Sequence, residues 1–540
     1  MEAMMGRDQI WSGIGGPWDV LVVGGGVVGA GILREAARLG MKTLLVEAHD
    51  YSSGTSSRSS KMVHGGLRYL ATGQIKLTMQ SVRERQRLLR EGQGLVDPLE
   101  FLLVSYKDDR PPAWVYGLGL MIYDTLAMHW NHEHHTLREV VDFCPDLSQR
   151  NLAGGYRFFD AQTDDARLVL RVIREAQKAG GVALNYARVE GLLRDAHGKV
   201  CGAVVHDLPG DRTCEVQAKV VINATGAWAD ELRGQVGRPR RLRQLRGSHL
   251  VFSQEKLPVS KVISFMHPAD KRPVFAFPWE GVTLVGTTDV DHHEPMETNP
   301  QISRDEVDYL MQGVQHLFGC LGLTEDDVIS TIAGIRSVLD TGKANPSKES
   351  RDEVLWDEDG LVTITGGKLT MFRHMAQTTL RFVHPRLKEH PLPNPLARAL
   401  DRVDERTSTD MVWETDLDPA EKLRLLGRYG TDAPSLLETS RVEDLEHVCQ
   451  TPTLWAELGW AAKAEQVVHL EDLLLRRTRL GLLLPDGGLE DLPRIRELCQ
   501  PALGWTDEQW SVEEQAYQNT WRQAYAPPHQ LIKGSVGGAS

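Results

Sequence analysis

Three glycines near the N-terminus, Gly24, Gly26 and Gly29, have the spacing Gly-x-Gly-x-x-Gly. Glycines at this spacing let a backbone turn tightly, approach a pyrophosphate closely and pack a following helix against a strand. The phosphate charge would then lie at the helix N-terminus. Glu47 ends the next apolar run, where a carboxylate can bind ribose hydroxyls. The four residues indicate the binding of a dinucleotide, and the alternative is a glycine-rich structural turn.

The residues that follow, from Thr55 to Leu70, are dense in hydroxyls, backbone donors and cations. They come just after the second predicted strand, within reach of phosphates and of a substrate anion. The alternative is a solvated Ser-rich loop that leads into a helix. The candidate cofactor contacts in this segment are Thr55, Ser56, Ser57, Lys61 and His64.

Periodicity indicates which elements position these residues. Apolar runs flank an amphipathic segment between residues 19 and 47 and describe one βαβ unit, and similar segments between residues 164 and 223 are expected to rejoin its sheet. Alternating runs between residues 246 and 332 predict antiparallel strands. After Phe372 a Pro-rich link, residues 385–395, precedes helical periodicity with almost no strand signal.

Composition limits the class of protein. A chain of 540 residues is too long for one compact core and suggests two or three domains. The net charge of −13 argues against a general nucleic-acid binder. The six cysteines are scattered without a Cys-x-x-Cys pair, and no calcium-binding loop of alternating acids is present, so we expect no metal site.

Membrane contact is expected only at the surface. No segment reaches the ~18 consecutive apolar residues of a spanning helix, and the N-terminal residues lack the features of a signal peptide. We therefore expect a cytoplasmic protein. The stretch 114–128 combines aromatic and apolar residues and is the best candidate for an interfacial segment. A buried helix explains the same stretch and is slightly favoured.

The segment 55–70 resembles the corresponding stretch of FAD-dependent glycerol-3-phosphate dehydrogenases, the flavoproteins that feed electrons to the respiratory quinone pool. Further motifs resemble those of the family and occur in its order, so the resemblance spans most of the chain. They are Asp-Asp-Ala-Arg-Leu at 164–168, Asn-Ala-Thr-Gly-Ala-Trp at 223–228, Arg-Gly-Ser-His at 246–249, Gly-Thr-Thr-Asp at 286–289, Gly-Ile-Arg at 334–336 and Gly-Gly-Lys-Leu-Thr at 366–370.

The resemblance implies an α/β fold with a Rossmann-like FAD-binding domain, an inserted antiparallel-sheet substrate domain and a C-terminal all-helical cap domain. The expected boundaries are 18–80, 157–245 and 330–384 for the FAD-binding domain, 81–156 and 246–329 for the substrate domain, 396–526 for the cap, and 527–540 for a disordered tail. It also implies oxidation of sn-glycerol 3-phosphate to dihydroxyacetone phosphate, transfer of electrons to membrane quinone, and peripheral association with the inner face of the cell membrane. A homodimer is compatible with it.

Family motifs also suggest which residues bind the substrate. Arg68, Arg336 and Lys368 match cationic substrate contacts, Tyr69 is a neighbour, and His249 matches a histidine close to the substrate. A phosphate needs fixed cations, and hydride loss from an alcohol is easier once a base takes the hydroxyl proton. We therefore assign catalytic roles to His249, Arg336 and Lys368. For an isolated Arg or His, a surface ion pair or a core hydrogen bond would be the better explanation.

Further cofactor contacts implied by the resemblance fall in two turns that follow strands. They are Ala224, Thr225, Gly226 and Trp228 in the first turn, and Gly367, Lys368, Leu369 and Thr370 in the second. Arg351 is a further candidate contact on the flavin side, and the alternative is that it belongs to an exposed run of charged residues. The basic cluster 476–479 in the cap has a solvated face as its default interpretation, with acidic lipid or a partner subunit as alternatives.

Other functions share these motifs. A glycerol-3-phosphate oxidase would pass the electrons to oxygen, and the substrate motifs do not separate it from a quinone-reducing dehydrogenase. A flavin-binding assembly protein without turnover would have no physical need for a phosphate-sized cationic site. An amine or amino-acid oxidase would need a carboxylate site, which the same cations would also serve.

Overall fold

The structure is a computed structural model of the chain. It describes residues 6–67, 74–109, 112–127, 131–342, 353–402 and 417–530. Three predicted site residues, Arg68, Tyr69 and Arg351, lie outside these ranges.

The strands of the described chain fall into two large sheets. In chain order they are β1 (Trp18–Val23), β2 (Thr43–Val46), β3 (Met62–Val63), β4 (Val96–Tyr106), β5 (Glu133–Thr136), β6 (Leu152–Thr163), β7 (Val182–Leu184), β8 (Ala187–Arg194), β9 (Val200–Asp207), β10 (Arg212–Asn223), β11 (Leu242–Ser253), β12 (Val262–Met266), β13 (Pro273–Trp279), β14 (Val282–Gly286), β15 (Val290–Asp291), β16 (Val328–Leu339), β17 (Val354–Glu358) and β18 (Leu361–Thr365).

The α-helices of the described residues pack on both sheets and form most of the C-terminal part of the chain. They are α1 (Arg7–Ser12), α2 (Val27–Arg38), α3 (Ile75–Glu91), α4 (Ala113–Ala127), α5 (Leu137–Phe143), α6 (Asp165–Lys178), α7 (Ala229–Gly234), α8 (Arg304–Phe318), α9 (Phe372–Val383), α10 (Pro419–Tyr429), α11 (Ala433–Glu438), α12 (Trp455–Ala464), α13 (Leu470–Asp472), α14 (Leu480–Leu483), α15 (Leu492–Leu503) and α16 (Asp507–Ala524).

The first sheet contains the predicted βαβ unit. Its central order is β17-β18-β10-β1-β2-β7, and every neighbouring pair is parallel except β17 with β18. Helix α2 connects β1 to β2 and packs against α6 and α9 in one apolar core. The central strands are almost entirely buried because α2, α6 and α9 cover one face and α1, α7 and the strands β8 and β9 cover the other. This arrangement is the predicted Rossmann-like domain.

The second sheet has the order β15-β11-β14-β13-β12-β4-β6-β3, with β16 paired to β11 and β5 paired to β6. It is antiparallel except for one pair, β12 with β4, which is parallel. The predicted domain boundaries at 156/157 and 329/330 fall inside β6 and β16, and both strands lie wholly in this sheet. Pairing along the full length of β4 and β11 holds them there.

The C-terminal part of the described chain is helical apart from one isolated bridge, His447 with Leu454. Its helices share an apolar core with one face of the second sheet, and that core contains Trp279, Trp510 and Trp521. The structure also places residues 527–530, within the stretch predicted to be disordered, and buries Pro527 and Pro528. Residues 531–540 lie outside the described ranges.

Helix α4 is exposed along one face, whereas the sequence slightly favoured a buried helix. Four large apolar side chains at helical spacing lie on its outer face, with exposed fractions of 67% for Trp114, 46% for Leu118, 40% for Met121 and 42% for Ile122. Tyr123 lies on the inner face and is buried. The helix is therefore a surface element with an apolar outer stripe. Among the described residues, no helix has the length and apolar character needed to cross a bilayer.

Candidate cofactor and substrate site

The glycine turn between β1 and α2 is closed so tightly that side chains are sterically excluded. A Cβ on Gly24, which has φ of +113°, would lie 2.6 Å from the carbonyl oxygen of Ala224, and a Cβ on Gly29 would lie 1.9 Å from the carbonyl oxygen of Gly24. A Cβ on Gly26 would lie 3.1 Å from Ser56 Oγ, which accepts the N–H of Val27 at 3.0 Å. The turn therefore presents the bare backbone and the N-terminus of α2 to one open side.

Glu47 lies at the end of β2, beside this turn. Its carboxylate accepts the N–H of Gly25 at 2.6 Å and the N–H of His49 at 2.9 Å. Burial raises the pKa of the Glu47 carboxyl, and the two backbone N–H groups act against that rise. The side chain thus ties the second strand to the glycine turn, and its contact with a ribose stays a prediction.

The two other predicted turns follow β10, which pairs with β1, and β18, which pairs with β10. Ala224 donates its N–H to Val23 at 2.8 Å, and the Thr225 hydroxyl donates to Asn223 at 2.7 Å. The ring of Trp228 lies so close to Gly54 that a Cβ on that glycine would approach it to 2.9 Å. The carboxyl ends of neighbouring parallel strands are where open α/β sheets bind ligands, so these turns and the glycine turn share one candidate site.

Residues 55–64 join this edge to the residues with predicted catalytic roles. The Thr55 hydroxyl donates to the carbonyl oxygen of Ile335, next to Arg336, at 2.5 Å. Ser60 Oγ lies 2.9 Å from His249 Nε2. Further along, the carbonyl oxygen of His64 accepts from Lys368 Nζ and from the Thr370 hydroxyl, both at 3.3 Å. One short segment therefore contacts all three elements that carry His249, Arg336 and Lys368.

The second turn, with Lys368, is shaped by glycine and begins a helix. Gly367 has φ of +70°, and a Cβ there would lie 2.4 Å from Met375 Sδ. The residues Leu369–Met371 form a short helical turn that leads into α9. The predicted contacts Gly367, Lys368, Leu369 and Thr370 are thus placed on the loop between β18 and α9.

His249 lies in β11 and is 2% exposed. Burial, with a smaller effect from the charge of Lys61, lowers the pKa of its imidazole to about 3, so the ring is neutral near pH 7. Within the described part of the chain, His249 Nδ1 has no hydrogen-bond partner. A Cβ on Gly286 of the neighbouring strand would lie 2.2 Å from the ring, so glycine makes room for it. The geometry places a neutral imidazole at the site.

Arg336 lies in β16, opposite Leu245 of β11. Its guanidinium forms an ion pair with Asp289, whose carboxylate is buried, and Arg272 Nη2 lies 3.6 Å from the second oxygen of that carboxylate. No role was assigned to Asp289 from the sequence, although the motif Gly-Thr-Thr-Asp at 286–289 contains it. Asp289 therefore orients the cation that is predicted to hold the substrate phosphate.

Lys61 is fully buried and its ammonium is occupied by protein groups. It donates to Asp165 at 2.8 Å and 2.9 Å and to the carbonyl oxygen of Ser57 at 2.6 Å. Burial, followed by the charge of Arg479, lowers the pKa of the Lys61 ammonium to about 8, against the opposing effect of Asp165. Lys61 thus braces the segment 55–61, and Asp165, in the motif at 164–168, is a supporting residue that sequence reasoning missed.

One group among the described residues has the spacing of metal ligands: Asp19, Glu389 and His390 at the surface. The ammonium of Lys219 contacts both carboxylates, at 2.7 Å for Asp19. The chain therefore supplies the cation for this group, which is remote from the three turns described above.

The residues present fit a flavin dinucleotide. The glycine turn excludes a Cβ at Gly24 and Gly29, leaves little room for one at Gly26, and precedes a helix N-terminus, which suits a pyrophosphate. Next to the glycine turn lie the hydroxyls of Thr55 and Ser56. The second glycine turn and the buried neutral imidazole of His249 come next, towards the second sheet. FAD would supply hydride acceptance to this site.

Comparison with known proteins agrees with that fit. A family model described as FAD dependent oxidoreductase matches residues 19–372, and one described as the C-terminal domain of alpha-glycerophosphate oxidase matches residues 367–510. An aerobic glycerol-3-phosphate dehydrogenase of Staphylococcus saprophyticus is 32% identical over 522 residues, 93% of each chain. One of Bacillus subtilis is 37% identical over 378 residues, 69% of this chain and 68% of that one.

A solved structure gives the same result. The glycerol-3-phosphate dehydrogenase from Bacillus halodurans, complexed with FAD, superposes with a TM-score of 0.77 at 29% identity and covers 96% of this chain and 97% of its own. The predicted fold class and the predicted cofactor, FAD, are confirmed. The chain belongs to the FAD-dependent oxidoreductases and, within them, to the family of aerobic glycerol-3-phosphate dehydrogenases.

Proposed function

We propose that the protein oxidises sn-glycerol 3-phosphate to dihydroxyacetone phosphate and delivers the electrons to a membrane quinone. One observation carries the proposal: the segment 55–64 contacts the elements of His249, Arg336 and Lys368 at once. A histidine that can take a proton and cations that can hold a phosphate therefore lie around the loops that fit a flavin. The names of the relatives support this choice of substrate.

Oxidation of a secondary alcohol breaks an O–H bond and a C–H bond and forms a carbonyl. FAD, when bound, would supply the acceptor for the hydride from carbon, and the hydroxyl proton needs a base. His249 is suited to that role because burial keeps its imidazole neutral near pH 7, so one ring nitrogen has a free lone pair. Ser60, at 2.9 Å from Nε2, orients the ring.

The substrate phosphate needs fixed cations, and Arg336 is the described residue that we assign to it. Asp289 forms an ion pair with the guanidinium of Arg336, whose planar set of donors suits a phosphate. Lys368 extends the cationic surface towards the cofactor edge. Arg68 and Tyr69, which the resemblance implies as further contacts, stay predictions, as does Arg351.

The quinone acceptor requires access to a bilayer, because respiratory quinones are lipid-soluble. We assign that contact to α4, with its outer stripe of Trp114, Leu118, Met121 and Ile122. Aromatic and apolar side chains on one helix face suit the headgroup boundary of a membrane. The proposal includes peripheral association with the cytoplasmic face of the cell membrane. It also includes a homodimer, which the molar mass of the purified protein in detergent would test.

The experiment is anaerobic mixing of the purified yellow protein with glycerol 3-phosphate while the absorbance of the oxidised flavin is followed. Rapid bleaching supports the substrate, and reoxidation by a quinone analogue supports the acceptor. A flavin that stays yellow would reject glycerol 3-phosphate. The product is assayed as dihydroxyacetone phosphate, one molecule for each flavin reduced.

An oxygen-using glycerol-3-phosphate oxidase is the second candidate, favoured by the description of the C-terminal family model. It differs only in the acceptor. Fast reoxidation of the bleached flavin by oxygen, with one peroxide formed for each flavin, would select the oxidase over the dehydrogenase.

A further inference from the structure

The helical C-terminal domain inserts three arginines into the FAD-binding domain. We call Arg476, Arg477 and Arg479 the arginine clamp. Their side chains are at most 3% exposed, whereas the sequence favoured a solvated face for this cluster. Burying three guanidinium groups is costly unless acids and carbonyls satisfy them. Where those partners lie shows what the clamp holds.

Two members of the clamp bind one carboxylate, that of Asp50. Arg477 donates to both of its oxygens, at 2.5 Å and 2.8 Å, and Arg476 Nε donates to one of them at 2.5 Å. Burial alone would raise the pKa of Asp50, but the charges of Arg477 and Arg476 outweigh it and lower the pKa to about 2. Asp50 lies three residues after Glu47, the predicted ribose contact, so the clamp binds the chain just after that contact.

The third member holds the chain seven residues further on. Arg479 Nη2 donates to the carbonyl oxygen of Ser57 at 2.7 Å and lies 3.2 Å from Asp165. That carbonyl oxygen also accepts from Lys61. Arg479 has φ of +65°, a left-handed conformation that is unfavourable for a residue with a Cβ. The strain is maintained because the contacts of the side chain fix its direction.

Between these two anchors lie the predicted cofactor contacts Thr55 and Ser56. The same stretch receives further contacts from the C-terminal domain, since Tyr51 donates its hydroxyl to Gln466 at 2.7 Å and Arg58 stacks over the ring of Tyr525 at 5.1 Å. Residues 47–61 are therefore shaped from the outside by the C-terminal domain.

We propose that Arg477 and Arg479 are positioning residues of the FAD site, through which the C-terminal domain fixes residues 47–61 in the conformation that binds the cofactor. The inference rests on the proposed cofactor role of that segment. It gives the helical domain a function in flavin binding, in addition to any contact with a membrane or a partner. Without the clamp, Asp50 would keep the hydrogen bond from Asn185 Nδ2 but would be a buried carboxylate without a counter-charge, and the loop would relax.

The test compares Arg479→Gln and Arg477→Lys with Arg171→Gln. Arg171 is a matched control because it is a buried arginine of the same domain interface that donates to the carbonyl oxygens of Leu426 and Gly427 and forms no hydrogen bond or ion pair with residues 47–61. For each holoprotein, the dissociation of FAD is followed by the fluorescence of released flavin, and the thermal unfolding midpoint is measured in parallel. No substrate is present.

We expect Arg479→Gln and Arg477→Lys to weaken FAD binding by about tenfold or more, since each removes hydrogen bonds between charged groups. Arg171→Gln should lower the unfolding midpoint while FAD affinity stays within about twofold. Arg479→Lys, which keeps the charge, should recover part of the affinity and replaces Arg479→Gln if that variant does not fold. Unchanged FAD affinity in the clamp variants, or equal loss in Arg171→Gln, would overturn the proposal.

Failure of the substrate assignment would leave this result intact. It would show as a wild-type flavin that glycerol 3-phosphate does not bleach, whereas failure of the clamp proposal shows in FAD dissociation alone.

Discussion

Ser60 Oγ lies 2.9 Å from His249 Nε2 and connects the cofactor segment to the proposed base. Because a neutral imidazole has one donor and one acceptor nitrogen, this hydroxyl influences which nitrogen takes the substrate proton. We expect Ser60→Ala to lower kcat for glycerol 3-phosphate by up to about tenfold, the value of one neutral hydrogen bond. Rapid-reaction measurement of flavin bleaching checks this.

The control for Ser60→Ala is Ser81→Ala. Ser81 is buried in α3, and its hydroxyl has no hydrogen-bond partner among the described residues, so it offers the same change in volume without the contact. Equal rates of bleaching in the two variants would remove Ser60 from the site.

Arg336→Ala should leave the flavin bound and reduce kcat/KM for glycerol 3-phosphate roughly 10- to 150-fold, because a hydrogen bond to a charged group contributes about 1.5–3 kcal/mol. Steady-state kinetics with a soluble quinone analogue measure the loss. Arg243→Ala is a matched control, since Arg243 pairs with Asp291 in the same sheet at 2.5 Å and 2.7 Å. A kcat/KM equal to that of the wild type would exclude Arg336 from phosphate binding.

Much of the nucleotide-binding half could be predicted from sequence because its signals are local. Gly24, Gly26 and Gly29 lie within six consecutive residues, Gly29 is fixed by its steric contact with Gly24, and Glu47 ends the next strand of the same βαβ unit. Short-range geometry of this kind leaves a pattern in consecutive residues. The helical character of the C-terminal part was predictable for the same reason.

Pairings between distant segments could not be predicted in this way. Arg479 meets Ser57 across more than four hundred positions, so its periodicity alone indicated a solvated helix face. Asp289 and Asp165 lie in motifs that the sequence displays, but their partners Arg336 and Lys61 are on other strands and loops. The predicted domain boundary at 329/330 falls inside the strand β16, because the residues of a strand do not reveal its pairing partner, here β11.

His249 should make stability depend on pH. Burial lowers the pKa of its imidazole from 6.5 to about 3, so between these values the unfolded chain binds a proton that the folded chain does not. Lowering the pH through this range therefore destabilises the fold, by up to about 1.4 kcal/mol per pH unit. We expect the difference in free energy of unfolding, wild type minus His249→Asn, to fall by roughly 2 kcal/mol from pH 7 to pH 5.

Denaturant unfolding at the two pH values, with the same amount of FAD, measures this difference. His197→Asn, at an exposed turn, serves as the control. For this variant, the difference from the wild type in free energy of unfolding should change far less between pH 7 and pH 5. A pH-independent difference for His249→Asn would mean that the imidazole titrates alike in the folded and unfolded chain, so that burial does not lower its pKa.

The outer stripe of α4 should be needed at the membrane but not for chemistry. We expect Trp114→Ser combined with Leu118→Ser to reduce binding to phospholipid vesicles roughly tenfold or more, because each side chain removes apolar area from the interface. Val512→Ser on α16 is the control, since Val512 is as exposed as Trp114. Co-sedimentation with vesicles of mixed neutral and anionic lipid measures the effect, and equal binding of both variants would reject α4 as the contact.

Flavin reduction by glycerol 3-phosphate should be unchanged in the α4 double variant. The inner face of the helix stays intact, where the Tyr123 hydroxyl donates to Asp160 at 3.0 Å and Asp160 accepts the N–H of Gly65 at 3.1 Å. That chain of contacts supports the loop after His64, so Tyr123→Phe should slow flavin bleaching without weakening vesicle binding. The double variant should lose vesicle binding and keep flavin reduction, whereas Tyr123→Phe should slow flavin reduction and keep vesicle binding. The two variants thus separate the membrane face of α4 from its face toward the site.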